Sequence, residues 1–170
     1  MFDWLSSKVA MSVAALIIVA SMVAFFSMQR ESMHQLEFQN IADTIAKTVN
    51  DVSASTASFK KNITFNKDKS GARYIPATFY GKTYLIIFYL DSVDIKQGGL
   101  KARASFSKKV HLYNPSTLNN SYLVSKSELR WRDSGNLTMT LTSGQSDICL
   151  EQKTLCVDGE TEFHTFVYLA

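Results

Sequence analysis

The sequence predicts an α+β fold in which a long N-terminal helix, first transmembrane and then amphipathic, packs on an antiparallel β-sandwich or twisted sheet. Three observations predict it: an uncharged apolar stretch near the start, a helical apolar stripe directly after it, and alternating β-favouring segments from Phe59 onward. Four segments follow from these patterns: a short cytoplasmic leader (1–8), a transmembrane helix (9–28), an amphipathic helical spine (29–58) and an extracytoplasmic β domain (59–170).

Composition limits the classes of function. The chain has 170 residues, of which 46% are apolar and 19% charged, and its net charge is +3. That charge is mild, and no Lys/Arg-rich run with interleaved aromatic residues occurs, so nucleic acid is not an expected partner. The length allows one anchor and one domain of ordinary size.

The anchor is the segment Val9–Met28, which carries no charged residue. Its twenty residues span roughly 30 Å as a helix, about the thickness of the hydrocarbon core of a bilayer. A cleavable signal peptide is the alternative, but its apolar stretch is about 7–15 residues long and ends in a small-residue cleavage site. Small residues four apart favour close helix contacts in lipid. These helix-packing candidates are Ala10, Ala14, Ala20 and Ala24.

The predicted helix continues beyond the membrane because neither Gly nor Pro occurs before Gly71. From Gln29 the pattern becomes amphipathic, with apolar residues stepping by three or four. This stripe must be covered, and the β domain of the same chain is the expected cover; a partner helix is the alternative. The spine-to-domain packing residues are Phe38, Ile41, Ile45, Val49 and Val52.

Period-two patterns predict six to eight antiparallel strands after the spine. Thr83–Leu90 is a continuous apolar, β-favouring run and the best candidate for a central strand. Gln97-Gly98-Gly99 predicts a hairpin turn. We also expect Tyr122–Trp131 to be mostly strand and Glu162–Leu169 to be a paired final strand.

The two cysteines, Cys149 and Cys156, have six residues between them. This spacing does not suit a zinc knuckle or a thioredoxin-type site. It suits the two arms of a hairpin with 151–154 as the loop, which predicts a disulfide and an oxidising compartment. Two free buried thiols are the alternative.

Orientation is predicted from the cysteines and from three sequons, since the flanking charges barely distinguish the two choices. Together these features favour a cytoplasmic N-terminus and an external β domain. The possible glycosylation sites are Asn62, Asn119 and Asn136.

No enzyme is predicted. The three histidines, His34, His111 and His164, lie far apart in sequence, and each is interpreted as a surface or interface residue. No zincin, nucleophile-elbow, P-loop or dinucleotide-binding motif occurs. We therefore expect no catalytic residues, no cofactor and no metal.

The layout resembles that of the type IV pilin-like proteins, especially the archaeal ones. Those proteins have a short polar leader, an apolar helix that continues as an amphipathic spine, and a C-terminal β domain. The matching segments here are Met1–Lys8, Val9–Met28, Gln29 to about Ser58, and Phe59–Ala170. The stretch IPATFYGKTYLIIFYLDSVDIKQGGLKARASF also looks like their recurring hairpin. Lys8-Val9-Ala10 only approximates a leader end, and the apolar segment lacks the glutamate of bacterial pilins.

The resemblance implies a structural subunit, or minor subunit, of a pilus-like or secretion-related surface filament. Its partners would be the lipid bilayer and other copies or related pilin-like subunits, contacted through the N-terminal helix. The alternative is a monomeric single-pass membrane protein that displays an extracellular β-sandwich for binding.

Overall fold

The structure is a computed structural model that describes the backbone of residues 2–118 and 123–170, and the side chains of 7–118 and 124–170. The described chain separates into two compact units, Met1–Glu37 and Phe38–Ala170. The first unit is entirely helical from Phe2 onward, so the predicted leader is helical over its described residues. The second contains the rest of the same helix and all the strands.

Helix α1 runs from Phe2 to Ser53 without interruption. No Gly or Pro lies within it, so no residue removes a backbone hydrogen bond or adds backbone freedom along its length. The final backbone contacts, Ala54 N–H to Asn50 O (2.9 Å) and Ser55 N–H to Val52 O (3.1 Å), complete its last turn.

Nine strands and one further α-helix follow in the described part of the chain. The strands are β1 (Phe59–Thr64), β2 (Arg73–Tyr74), β3 (Leu85–Tyr89), β4 (Ser92–Gln97), β5 (Leu100–Ser105), β6 (Leu123–Val124), β7 (Thr138–Thr142), β8 (Ile148–Val157) and β9 (Glu160–Leu169). The second helix, α2, spans Lys126–Gly135, and a single 3₁₀ turn spans Pro115–Thr117.

The strands form two sheets. The first sheet has the order β2-β1-β8-β6, and β9 also pairs with β8. The second has the order β5-β4-β3-β7 and is antiparallel throughout. The predicted α+β class is confirmed. The expectation of antiparallel pairing alone is wrong for the first sheet, because β1 pairs with β2, and β6 with β8, in parallel.

Two predicted features of the strands agree with the structure. The apolar run around Ile86 and Phe88 forms β3, which lies inside its sheet between β4 and β7. The turn at Gly98-Gly99 connects β4 to β5, and Gly98 has a positive φ of 57° that suits glycine.

The segment predicted as a strand up to Trp131 is instead largely helix α2; Tyr122 lies outside the described residues. The Ser125 side chain caps this helix by accepting a hydrogen bond from Glu128 N–H at 3.1 Å. Ser125 and Glu128 stand at the spacing of a capping box, S-x-x-E, a sequence signal for a helix start that the strand prediction missed.

The predicted cysteine hairpin is also wrong. Cys149 and Cys156 lie on one continuous ten-residue strand, β8, and both thiols are free. The two positions are seven steps apart along the extended chain, which places their Cα atoms about 23 Å apart. A disulfide requires Cα atoms roughly 4–7 Å apart. The polar residues expected to form a loop are instead paired with β9, as in the register pairs Gln152 with Thr165 and Lys153 with His164.

Strand β8 is enclosed on both faces because two buried clusters lie against it. Ile148 and Leu150 contribute to the main core, whereas Leu155 and Val157 contribute to a second, smaller cluster. The smaller cluster also contains Leu129 of α2 and Phe166 of β9. Helix α2 therefore covers the side of the first sheet that faces away from the main core.

Candidate functional site

The most distinctive surface of the chain is the first part of α1. Every described residue from Ser7 to Met33 is exposed, and the large apolar side chains of this segment are at least 50% accessible. Its most apolar eighteen-residue window has a mean hydropathy of 2.6. Within the described residues, α1 is the one helix that is long and apolar enough to cross a membrane.

The serine hydroxyls of Val9–Met28 are satisfied within the helix. Ser12 donates to Lys8 O at 3.0 Å, Ser21 to Ile17 O at 2.8 Å, and Ser27 to Ala24 O at 2.8 Å. This local bonding removes the cost of placing hydroxyl groups in an apolar surrounding. Val9–Met28 thus presents apolar surface all round, and each of its three serine hydroxyls has an acceptor.

The four predicted packing alanines lie on one side of this helix. At about 100° per residue, Ala10, Ala14, Ala20 and Ala24 fall within an arc of roughly 120°. All four are exposed. Met33 and Leu36 are also exposed, at 60% and 63%. The arc of small side chains would let another helix approach its backbone closely.

The second part of α1 has a different environment. The five predicted spine residues are all buried and share one cluster with residues of both sheets. Their relative exposures are 0% for Phe38, 8% for Ile41, 0% for Ile45, 0% for Val49 and 0% for Val52. Ala42 and Ala46 are buried beside them, and these small residues allow the sheets to approach the helix backbone.

Polar contacts hold both margins of the buried helix face. Gln39 donates to Arg103 O at 2.9 Å. Asn50 accepts from the backbone and the hydroxyl of Ser107, at 2.8 and 3.0 Å. Ser53 accepts from Thr165 Oγ1 at 2.9 Å. The segment from Phe38 to Ser53 is therefore an integral part of the β domain.

The sequons differ in accessibility. Asn136 is exposed at the C-terminal end of α2, where its side chain donates to Arg132 O at 3.0 Å. Asn62 is half-buried in β1 and accepts from the Cys149 thiol at 3.2 Å. Asn119 lies outside the described residues. Of the two described sites, Asn136 offers the side chain that a modifying enzyme reaches most easily.

Two histidines that are 53 residues apart in sequence meet in the structure. His111 Nε2 lies 2.9 Å from His164 Nδ1, and the rings are 5.1 Å apart between centroids. Sequence reasoning treated these residues separately, and no local motif connects them. They meet because residue 111 forms a parallel bridge with Phe166 of β9. His34 lies on α1 in the other unit.

Among the described residues, no group of three or more His, Cys, Asp or Glu side chains is arranged to hold a metal ion. The comparisons with protein-family models, curated proteins and solved structures found no match. A long N-terminal apolar helix followed by a β domain is compatible with a pilin-like architecture.

Proposed function

We propose that this chain is a structural or minor subunit of a pilus-like or secretion-related cell-surface filament, anchored and assembled through the first part of α1. One observation carries the proposal. A single helix is uncharged, apolar and exposed over Val9–Met28, and the same helix is built into a β domain from Phe38 onward. The proposed role is packing, and no catalytic step is part of it.

The exposed apolar surface needs a cover. The continuous apolar surface of Val9–Met28 is much larger than the apolar patches that proteins in water leave exposed. A lipid bilayer covers it in full, because a helix satisfies its own backbone hydrogen bonds and the serines bond within the helix. We infer that lipid surrounds this segment before assembly.

Neighbouring helices are the second cover. Helix and lipid are both apolar, so moving the segment from lipid into a helix bundle changes little hydrophobic free energy. The quality of packing between helices then decides whether the subunits assemble, and the alanine arc lets a neighbouring helix approach closely. The β domain would lie on the outside of such an assembly.

For localisation, we propose a single-pass protein with a cytoplasmic N-terminus and an extracytoplasmic β domain. Because both cysteines are free, a disulfide no longer supports this orientation. The exposed sequon at Asn136 is what supports it.

A second candidate is a monomeric single-pass protein that displays its β domain for binding. It is favoured by the exposed apolar side chains Trp131 and Leu137, which are 73% and 59% accessible near the end of α2. Exposed tryptophans are common at the centres of protein interfaces. In this alternative the alanine arc contacts only lipid.

The two candidates are separated by substitutions within the alanine arc. Ala14→Trp and Ala20→Trp place a bulky ring in the arc, whereas Ala15→Trp places the same ring about 100° round the helix from Ala14. Oligomer size is measured by chemical cross-linking in native membranes and by the yield of filaments sheared from cells. A filament subunit loses assembly with the first two variants and keeps most of it with the third. Unchanged assembly in all three would exclude packing through the arc.

Mass spectrometry of the native N-terminus provides an independent observation. A mature chain that starts at Val9 or Met11 supports pilin-type processing after the leader. An intact Met1 favours the simple anchor of the second candidate.

A further inference from the structure

Four titratable side chains form a continuous line on the side of the first sheet that α2 covers. Asp133 Oδ1 lies 2.7 Å from His111 Nδ1, His111 Nε2 lies 2.9 Å from His164 Nδ1, and His164 Nε2 lies 3.2 Å from Glu162 Oε2. Each distance is that of a hydrogen bond. The line connects the last turn of α2 with β9 through the segment that contains His111.

The backbone fixes the positions of these groups. His111 N–H donates to Thr165 O, and Val167 N–H donates to His111 O, both at 2.8 Å, so this segment is tied to the edge of β9. Glu162 and His164 are two residues apart on β9 and therefore share a face. Phe166 continues that face, and its ring lies 5.0 Å from the ring of His111.

The three contacts of this line require a fixed number of N–H groups. A carboxylate only accepts hydrogen bonds, and the nitrogen of an imidazole donates only when it carries a proton. Three contacts between two carboxylates and two imidazoles therefore need three N–H groups. Two neutral histidines supply two N–H groups, and two imidazolium ions supply four, which leaves two donors facing each other at the central contact. One extra proton on the pair satisfies all three contacts.

We propose that His111 and His164 form a binding site for a single shared proton, held between the carboxylates of Asp133 and Glu162, and that this proton fastens α2 to the edge of β9. Asp133 in the last turn of α2 and Glu162 on β9 each accept from one end of the pair. The site is separate from the apolar surface of α1 and does not depend on its role.

Opposing effects act on the protonation of the pair. Side chains of His111 and His164 are only 11% and 16% exposed, so their charge states are poorly screened by water. Burial and the neighbouring His111 lower the pKa of His164, while Glu162 and Asp133 oppose this change. The two carboxylates stabilise the first proton, and repulsion between the rings disfavours the second.

Two basic side chains near the site have acidic partners, and one of these partners is Glu162 of the site itself. Arg132 of α2 contacts Glu128 at 3.2 Å, and Lys126 lies 3.6 Å from Glu162. The Tyr113 ring lies beside that of His111, with the planes tilted by 53° and 5.7 Å between ring centroids. On β8, Lys153 is the cross-strand neighbour of His164. The site therefore retains the two carboxylates as the groups that directly contact the imidazoles.

This arrangement predicts that α2 is held most firmly at intermediate pH. When the pair loses its shared proton, two N–H groups remain for three contacts, so one contact is lost. When the pair gains a second proton, the central contact is lost. The lowered pKa of His164 means that the unfolded chain binds a proton at this residue more readily than the folded chain does, so this contribution to stability falls as pH decreases below about 6.5.

The test is NMR of the full chain in detergent micelles with ¹⁵N-labelled histidine, titrated from about pH 4 to about pH 9. The ring nitrogen shifts report protonation. We expect the pair to take up its two protons in two separated steps, with one excess proton shared between the rings in the intermediate range. A single joint step for both histidines would overturn the proposal.

Glu162→Gln sharpens the test, since the amide of glutamine can donate to His164 Nε2 and complete the line without the extra proton. We expect the first step to move to lower pH by about one unit. The matched control is Glu160→Gln, which removes the same charge from an exposed position on the same strand and should leave both steps in place. A folded Glu162→Gln chain with an unchanged first step would contradict the shared proton.

Hydrogen exchange of the α2 amides, corrected for the intrinsic pH dependence of exchange, reports the fastening of the helix. In the parent chain, protection of the α2 amides from exchange should be greatest between the two protonation steps. In Glu162→Gln this maximum should be absent. Protection that varies monotonically through both steps would contradict the role of the proton in holding α2.

Discussion

Phe38 packs its ring against that of Phe79, with the ring centroids 5.2 Å apart and the planes tilted by 55°. It also meets Tyr84 edge-on, with 5.9 Å between centroids. Among the described side chains of α1, Phe38 is the first that is fully buried, two positions after the exposed Leu36. This contact marks the point at which the helix becomes part of the β domain.

Phe38→Ala should destabilise the β domain by about 3–5 kcal/mol, because it removes a fully buried aromatic ring and leaves a cavity between helix and sheets. Leu36→Ala is the control, since its side chain is 63% exposed, and should change stability by less than about 0.5 kcal/mol. Urea unfolding of the full chain in micelles, followed by near-ultraviolet circular dichroism, measures both. Equal effects would contradict the assigned boundary.

Ser125→Ala should cost about 1 kcal/mol by removing the side-chain acceptor for Glu128 N–H at the start of α2. Ser125→Gly should cost only a few tenths of a kcal/mol, because glycine is tolerated at this position. Hydrogen exchange of the α2 amides measures the local effect. Exchange that is identical in the parent and both variants would argue that this segment is not a capped helix.

The free cysteines predict a chemical result. Alkylation of the denatured, unreduced chain should add two labels, because Cys149 and Cys156 lie on one strand and cannot bond to each other. In the folded chain Cys149 should react slowly, since burial raises its pKa and restricts access. Mass spectrometry counts the labels. A denatured chain that takes up none without reductant would restore the disulfide.

Asp147 predicts a loss of stability in acid. Its hydrogen bond with Lys69, the largest cause, lowers its pKa from the ordinary value of 3.8. The unfolded chain therefore binds the proton first, so the stabilisation is present above pH 3.8 and is lost as pH falls through the folded pKa.

Asp147→Asn should flatten this acid limb of the stability curve. Asp68→Asn, at an exposed position in the loop that precedes Lys69, makes the same change of charge and should retain the limb. Urea unfolding at a series of pH values measures both variants. An acid limb that survives Asp147→Asn unchanged would assign it to other carboxyl groups.

Local periodicity accounts for what was predictable from sequence. The stripe from Phe38 to Val52 repeats every three or four residues and is continuous, so it identified the face of α1 that the structure buries. Gly98 stands between two alternating segments, and the β4–β5 turn lies there.

The misses arose where tertiary context decided the outcome. Polar residues 151–154 have the composition of a loop, yet they continue β8 because Gln152 is buried and bonded to Thr165 across the sheet. The meeting of His111 with His164 depends on a single long-range bridge to β9, which no local pattern encodes.

Membrane fractionation of the full chain tests the central claim most directly: that lipid or neighbouring helices cover Val9–Met28. The chain should sediment with membranes, resist an alkaline carbonate wash and enter solution only with detergent. A variant with Ile17→Lys and Val19→Lys should lose this behaviour, because two charges at the centre of the segment oppose insertion. A parent chain that is monomeric and soluble without detergent would contradict the claim.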